Sequence, residues 1–164
     1  MAAAGASRSP LDLMAGAIAP VLAIWNAHTG ERLQVHYFRA EGYDGQALAQ
    51  LNWIMRDWRE SAVATLDVRL FWALSAVAQA AMQQGHSGLI RLNSGYRTPR
   101  TNSKLEGAVP NSMHLSARAV DFMLDGVPTP PISAYCRWLG VGGVGHYPGR
   151  FVHLDTGHVR TWTG

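Results

Sequence analysis

A chain of 164 residues, nearly half of them apolar and 15% charged, is long enough for one domain with its own core and too short for two ordinary ones. Its net charge of +3 is mild and its basic residues are scattered, which argues against a nucleic-acid surface; no apolar run is long enough for a membrane-spanning helix. The single cysteine, Cys136, excludes an internal disulfide, and in the helical-looking segment ISAYCRWLG it reads as a small buried hydrophobe.

Residues 1–22 are rich in Ala, Gly, Ser and Pro, and a signal peptide would need a more basic start and a cleaner apolar centre than LMAGAIAPVLA with Asp12 just before it. The segment reads as a disordered or processed terminus ahead of a single domain over residues 23–164. From Ala23 to Phe38, two apolar runs flank HTGE, the pattern of a β-hairpin with Thr29 and Gly30 at the bend. Asp44 then caps a helix expected to run to Ser61, with Leu48, Leu51, Ile54, Met55 and Trp58 at helical intervals. A second helix is expected from Asp67 to Gln84, closed by Gly85. The periodicity then changes. GLIRL reads as a strand, and Gly95 and Pro99 break the next segment into a loop carrying Tyr96 and Arg97. AVDFML (119–124) reads as another strand, followed by a turn and a short helix. The Gly-rich GVGGVG lacks the Lys-Ser/Thr pair of a phosphate cradle and reads as a bend before a last strand, RFVHLDTG.

Chemistry concentrates in the second half. His114, Asp121 and His153 offer two imidazoles and one carboxylate, a donor set that suits zinc and leaves its fourth position open. Strand alternation puts Asp121 on one face with Ala119 and Met123, and Phe151, His153 and Asp155 together on another. A carboxylate two residues from a ligand either accepts a proton or orients that ligand, and spacing alone leaves both roles open for Asp155. The six tryptophans read as packing residues.

The ordered stretches SGYRTPRTN, SMHLSARAVDF and GGVGHYPGRFVHLDTGHVRTW resemble the zinc-dependent peptidoglycan peptidases of the M15 type. Within these, they are most similar to the DUF882 or YcbK-like murein endopeptidases of the hedgehog/DD-peptidase group. The likeness runs from IWNAHTGERL to the C-terminus. It implies an α+β fold, with two N-terminal helices on a small antiparallel sheet that carries the zinc. It places the metal ligands on His114, Asp121 and His153, a substrate carboxylate on Arg97, and a further substrate contact on Ser112. It also implies peptidoglycan stem peptides as substrate, a monomer, and a periplasmic or extracellular setting at the cell envelope.

Two departures stand out. Ala117 replaces the glycine usual three residues after the first ligand, which matters if that position needs φ > 0. The Glu-x-Trp-His motif of other M15 enzymes is absent, so Asp155 and then His146 are the candidates for the base, and Tyr147 for steadying an oxyanion. A non-catalytic zinc-containing binding module of the same fold is the competing reading. An iron oxygenase built on HLD at 153–155 would need a distal histidine well downstream, and only residues 156–164 follow.

Overall fold

The computed structural model describes residues 8–164. Ser9 begins it with a capping box: its hydroxyl accepts from the Asp12 amide while the Asp12 carboxylate accepts from Ser9 N, and Pro10 opens helix α1 (Pro10–Met14). Of the terminal segment 1–22, residues 1–7 lie outside the described residues. Within the remainder, Leu11 and Ile18 join the core cluster.

Strands β1 (Val21–Asn26) and β2 (Arg32–His36) form the expected antiparallel hairpin, Val21 opposite His36, with Gly30 supplying a positive φ in the turn. A two-stranded ribbon of β3 (Phe38–Arg39) and β4 (Gly42–Tyr43) leads to α2 (Gly45–Ile54), whose amides at Gln46 and Ala47 are capped by Asp44. Asp67 caps α3 (Val68–Gln83) in the same way. After these come β5 (Ile90–Ser94), α4 (Pro99–Lys104), a 3-10 turn (Met113–Ser116) and β6 (Ala119–Leu124). The chain closes with α5 (Thr129–Leu139), β7 (Gly143–Tyr147), β8 (Phe151–Asp155) and β9 (Arg160–Thr163).

The α+β class holds, but the sheet is neither small nor antiparallel. Seven strands run in the order β2-β1-β5-β6-β8-β7-β9, with β1 parallel to β5 and β7 parallel to β9. Returning from β1 to β5 requires a crossover, and the chain makes it through α2 and α3; a crossover returns the strand parallel. Of the two expected N-terminal helices only the second, α3, covers the sheet, against β1 and β6; its partner in that layer is α5, against β6, β7 and β8, while α2 packs beside β2. The glycine run read as a bend is strand β7, and HVRTW contributes β9 beyond the strand expected to be last.

Each buried aliphatic side chain contributes about 1.5–3 kcal/mol of transfer free energy. Leu70, Phe71, Leu74 and Val77 of α3 meet Ile24, Leu92, Val120 and Phe122 of the sheet in one such cluster. The opposite face of β6 and β8 carries Asp121, His153 and Asp155.

Helix α2 stops at Ile54 instead of Ser61. Asp57 N donates to Ala62 O and Ala62 N to Asp57 O, closing residues 57–62 into a loop in which Ser61 takes a φ of 50°. Ala117, following the 3-10 turn, is left-handed at φ 56°, ψ 37°, and its amide closes on the carbonyls of Met113 and His114. The position therefore does demand the conformation that glycine adopts freely. Ala117→Gly would relieve about 1–2 kcal/mol of left-handed strain. It would add about 0.5–1 kcal/mol of unfolded-state entropy and lose a buried methyl worth about 0.8 kcal/mol. These terms nearly cancel, so urea unfolding of Ala117→Gly is expected within about 1 kcal/mol of the parent.

Candidate active site

The site is assembled where three loops meet the open face of the sheet. A register irregularity between Leu92 and Ser94 sets Ser94 opposite Asp121 on β6, and the chain then turns through Gly95. A Cβ at Gly95 would lie 2.3 Å from the Met55 carbonyl oxygen, so only glycine fits beneath α2. Tyr96 N donates to Met55 O at 2.8 Å and Arg97 N to His114 O at 3.1 Å, fixing the loop to both the end of α2 and the 3-10 turn. Ser112 begins that turn by accepting from His114 N at 3.3 Å.

His114, Asp121 and His153 are all buried, and a ligand atom from each lies within 4.8 Å of the other two. His114 Nδ1 sits 2.6 Å from Gly95 O. A carbonyl only accepts, so Nδ1 carries the proton and Nε2 presents a lone pair. That lone pair faces Asp121 Oδ1 at 3.2 Å, and Nε2 is buried without a hydrogen-bond partner. Two acceptors aimed at each other in a dry site need a cation between them. A proton is a poor one here, because burial lowers the pKa of His114 and the Asp121 charge does not restore it.

His153 reaches Asp121 Oδ1 through Nδ1 at 2.8 Å and Asp155 Oδ2 through Nε2 at 3.0 Å. Burial pulls its pKa down, but hydrogen bonds to the two carboxylates, Asp121 and Asp155, outweigh burial and raise it. Burial likewise pushes the Asp121 carboxyl up, and the two imidazoles more than reverse this, holding it below the usual carboxylate range.

Residues 15–162 match the family described as peptidoglycan L,D-endopeptidase MepK, within the M15 peptidases. The chain belongs to this peptidase family. It is 35% identical to a probable peptidoglycan L,D-endopeptidase MepK of Haemophilus influenzae over 174 residues, covering 99% of this chain and 90% of that protein. It is 35% identical to peptidoglycan L,D-endopeptidase MepK of Escherichia coli K12 over 150 residues, covering 87% of this chain and 79% of that protein. The span matched by the family, residues 15–162, contains all three residues of the buried cluster.

Around this M15 cluster, the other residues singled out in the sequence take unequal places. Asp155 is fully buried and stands beside His153, but its oxygens are engaged: Oδ1 accepts from the amides of Gly143 and Gly157 and from Arg160 Nη1, and Oδ2 from Arg160 Nη2 at 2.8 Å. Burial pushes its carboxyl up, and these donors, with His153, pull it well below the usual range. His146 is not brought to the cluster. It pairs in register with Val152, on the helical face, and its Nε2 meets Thr129 Oγ1 at 3.0 Å. Tyr147 does lie on the open face, where its hydroxyl accepts from Trp162 Nε1 at 3.1 Å.

Arg97 is mostly occupied: Nη2 donates to Asp121 Oδ2 at 2.5 Å and Nε to Ser94 Oγ at 2.8 Å, leaving its side chain 14% exposed. Sequence reasoning passed over Arg160 and Trp162, whose ring centroid is 5.1 Å from that of His153. A signal for both existed in the alternate glycines: a Cβ at Gly143 would lie 2.3 Å from Arg160 Nη1, and one at Gly145 2.6 Å from the Trp162 ring.

The Arg97 loop is also clasped from below by Asp57. Its Oδ2 accepts from Thr98 N and Thr98 Oγ1 at 2.9 and 3.0 Å, and its Oδ1 from Arg59 N at 3.1 Å. Burial pushes this carboxyl up, but its donors outweigh burial and hold it below the usual range. With the folded pKa depressed, its stabilisation is present above about pH 4 and is lost as pH falls through the folded value. Asp57→Asn is expected to cost roughly 1–3 kcal/mol at pH 7. In urea titrations read at several pH values, the variant should also lose less stability than the parent below about pH 4.

Proposed function

We propose that this M15 peptidase is a zinc-dependent endopeptidase that hydrolyses L,D cross-links between peptidoglycan stem peptides in the periplasm or cell envelope, as a single catalytic domain. The family supports peptidoglycan as the substrate, and the L,D specificity follows the names of the relatives. The observation that carries metal dependence is the pair of buried acceptors, His114 Nε2 and Asp121 Oδ1, facing each other at 3.2 Å. No helix among the described residues is long and apolar enough to cross a membrane.

In this reading His114, Asp121 and His153 hold the zinc. Bound there, it supplies Lewis acidity for a peptide carbonyl and for water activation. The chain's own residues fix the geometry. His114 is locked by the Gly95 carbonyl, and Asp121 is restrained through Oδ2 by Arg97, which leaves Oδ1 for the metal. Asp155 accepts the Nε2 proton of His153, keeping a lone pair on Nδ1; with its other lone pairs taken, it orients the ligand and does not itself take a proton. Trp162 and Tyr147 wall the site on the β9 side, and Ser112 holds the turn beneath His114.

Incubating zinc-loaded protein with cross-linked muropeptides, with and without a chelator, and weighing the products by mass spectrometry tests this. Chelator-sensitive opening of L,D cross-links is expected. Intact substrate alongside one tightly bound zinc would favour the binding-module reading, and chelator-insensitive cleavage would remove the metal from the reaction.

A further inference from the structure

The loop that closes below Arg97 carries a second, freer guanidinium. Arg59 is exposed, lies between Asp57 and Glu60, and makes no ion pair among the described residues. Residues 57–60 are tied to residues 97–100 at two points, Asp57 to Thr98 and Glu60 to Arg100, whose Nε lies 3.6 Å from the glutamate. Arg59 thus sits in the span between the two ties. Its guanidinium lies 4.4 Å over the Trp58 ring, which stacks on His28 at 5.1 Å; His28 Nε2 in turn meets Asn93 O at 2.9 Å, next to Ser94. Stacking on an aromatic face keeps an arginine extended and lightly hydrated, and so ready for a carboxylate.

Arg97 is a poor sole receptor for a substrate anion, because Asp121 and Ser94 hold two of its nitrogens. An L,D bond has on its amine side a D-configured carbon that also bears a carboxyl group. We propose that Arg59 reads this carboxylate beside the scissile amide and is a specificity-determining residue for substrates in which it is free. The proposal rests on the L,D reading above and adds the residue that selects the charge state of the amine-side residue.

The test compares two cross-linked peptides, identical except that this carboxyl is free in one and amidated in the other. The parent enzyme is expected to prefer the free acid. Arg59→Ala should lower kcat/KM for it by roughly 10- to 100-fold, the loss of one charge-assisted hydrogen bond, with the change mainly in KM. The amidated peptide should lose less than about threefold, and Arg59→Lys should recover part of the preference. Equal losses on both peptides would overturn the proposal. Should the parent cut neither peptide, the L,D reading fails by itself. Arg59 is then judged by calorimetric titration with the free-acid and amidated amine-side fragments: tighter binding of the acid by the parent and not by Arg59→Ala supports it, and equal affinities sink it.

Discussion

Replacing His114 by alanine is expected to remove the metal and the peptidase activity together while the domain stays folded. The imidazole is held from behind by one strong hydrogen bond to Gly95 O and offers its other nitrogen only to the cluster. Losing an outer partner of a metal ligand costs about 10- to 100-fold in affinity, and losing the ligand itself costs more than that. The structural penalty is smaller: one buried ring and one hydrogen bond, about 1–3 kcal/mol. Removing an unpartnered acceptor from beside Asp121 also relieves a repulsion in the metal-free state. The two effects separate cleanly in measurement. Metal content after gel filtration should fall to background, while thermal unfolding should remain a single cooperative transition. A variant that retains one zinc per chain would remove His114 from the ligand set.

What was legible in the sequence was whatever short-range chemistry decides. Helix α3 announced itself through Asp67 and the apolar spacing from Leu70 to Val77, and β6 and β8 through alternation that separated Asp121 from Val120 and Phe122, and His153 from Val152 and Leu154; that Asp121 and His153 share a face comes from the β6–β8 register. Long-range pairing was not legible. Nothing local to Arg160–Thr163 says that this segment lies parallel to β7, and nothing in VLAIWN says that β1 takes β5 as a parallel neighbour. The end of α2 was misread because Met55 and Trp58 keep the helical spacing. The helix is stopped by the bridge from Asp57 to Ala62, a contact invisible to periodicity. His146, the second candidate for the base, is not brought to the site. The β7–β8 register places it opposite Val152 instead, on the other face, and one residue of offset in a strand is enough to do this.

Asp155→Asn should fold but bind the metal more weakly by about 10- to 100-fold, because it disturbs a ligand without removing one. The Asn carbonyl can still accept from the Gly143 and Gly157 amides and from Arg160 Nη1, the three donors to Oδ1. Its amide nitrogen then stands where Oδ2 stood, facing two donors, Arg160 Nη2 and His153 Nε2. The imidazole can escape that clash by moving its proton to Nδ1 and accepting at Nε2, which leaves no lone pair directed at Asp121 and the metal. Arg160 has no such escape. Weakening its charge-assisted bond should cost about 1.5–3 kcal/mol, or roughly 3–12 °C in Tm for a domain of this size. Chelator competition and calorimetry read the two effects independently. If Asp155 were instead the proton acceptor of the reaction, the Asn variant would bind metal as tightly as the parent and lose turnover alone. Unchanged affinity with abolished cleavage is therefore the result that would restore Asp155 to the role of base, whereas a parallel fall in affinity and activity, recovered at saturating metal, assigns it to holding His153.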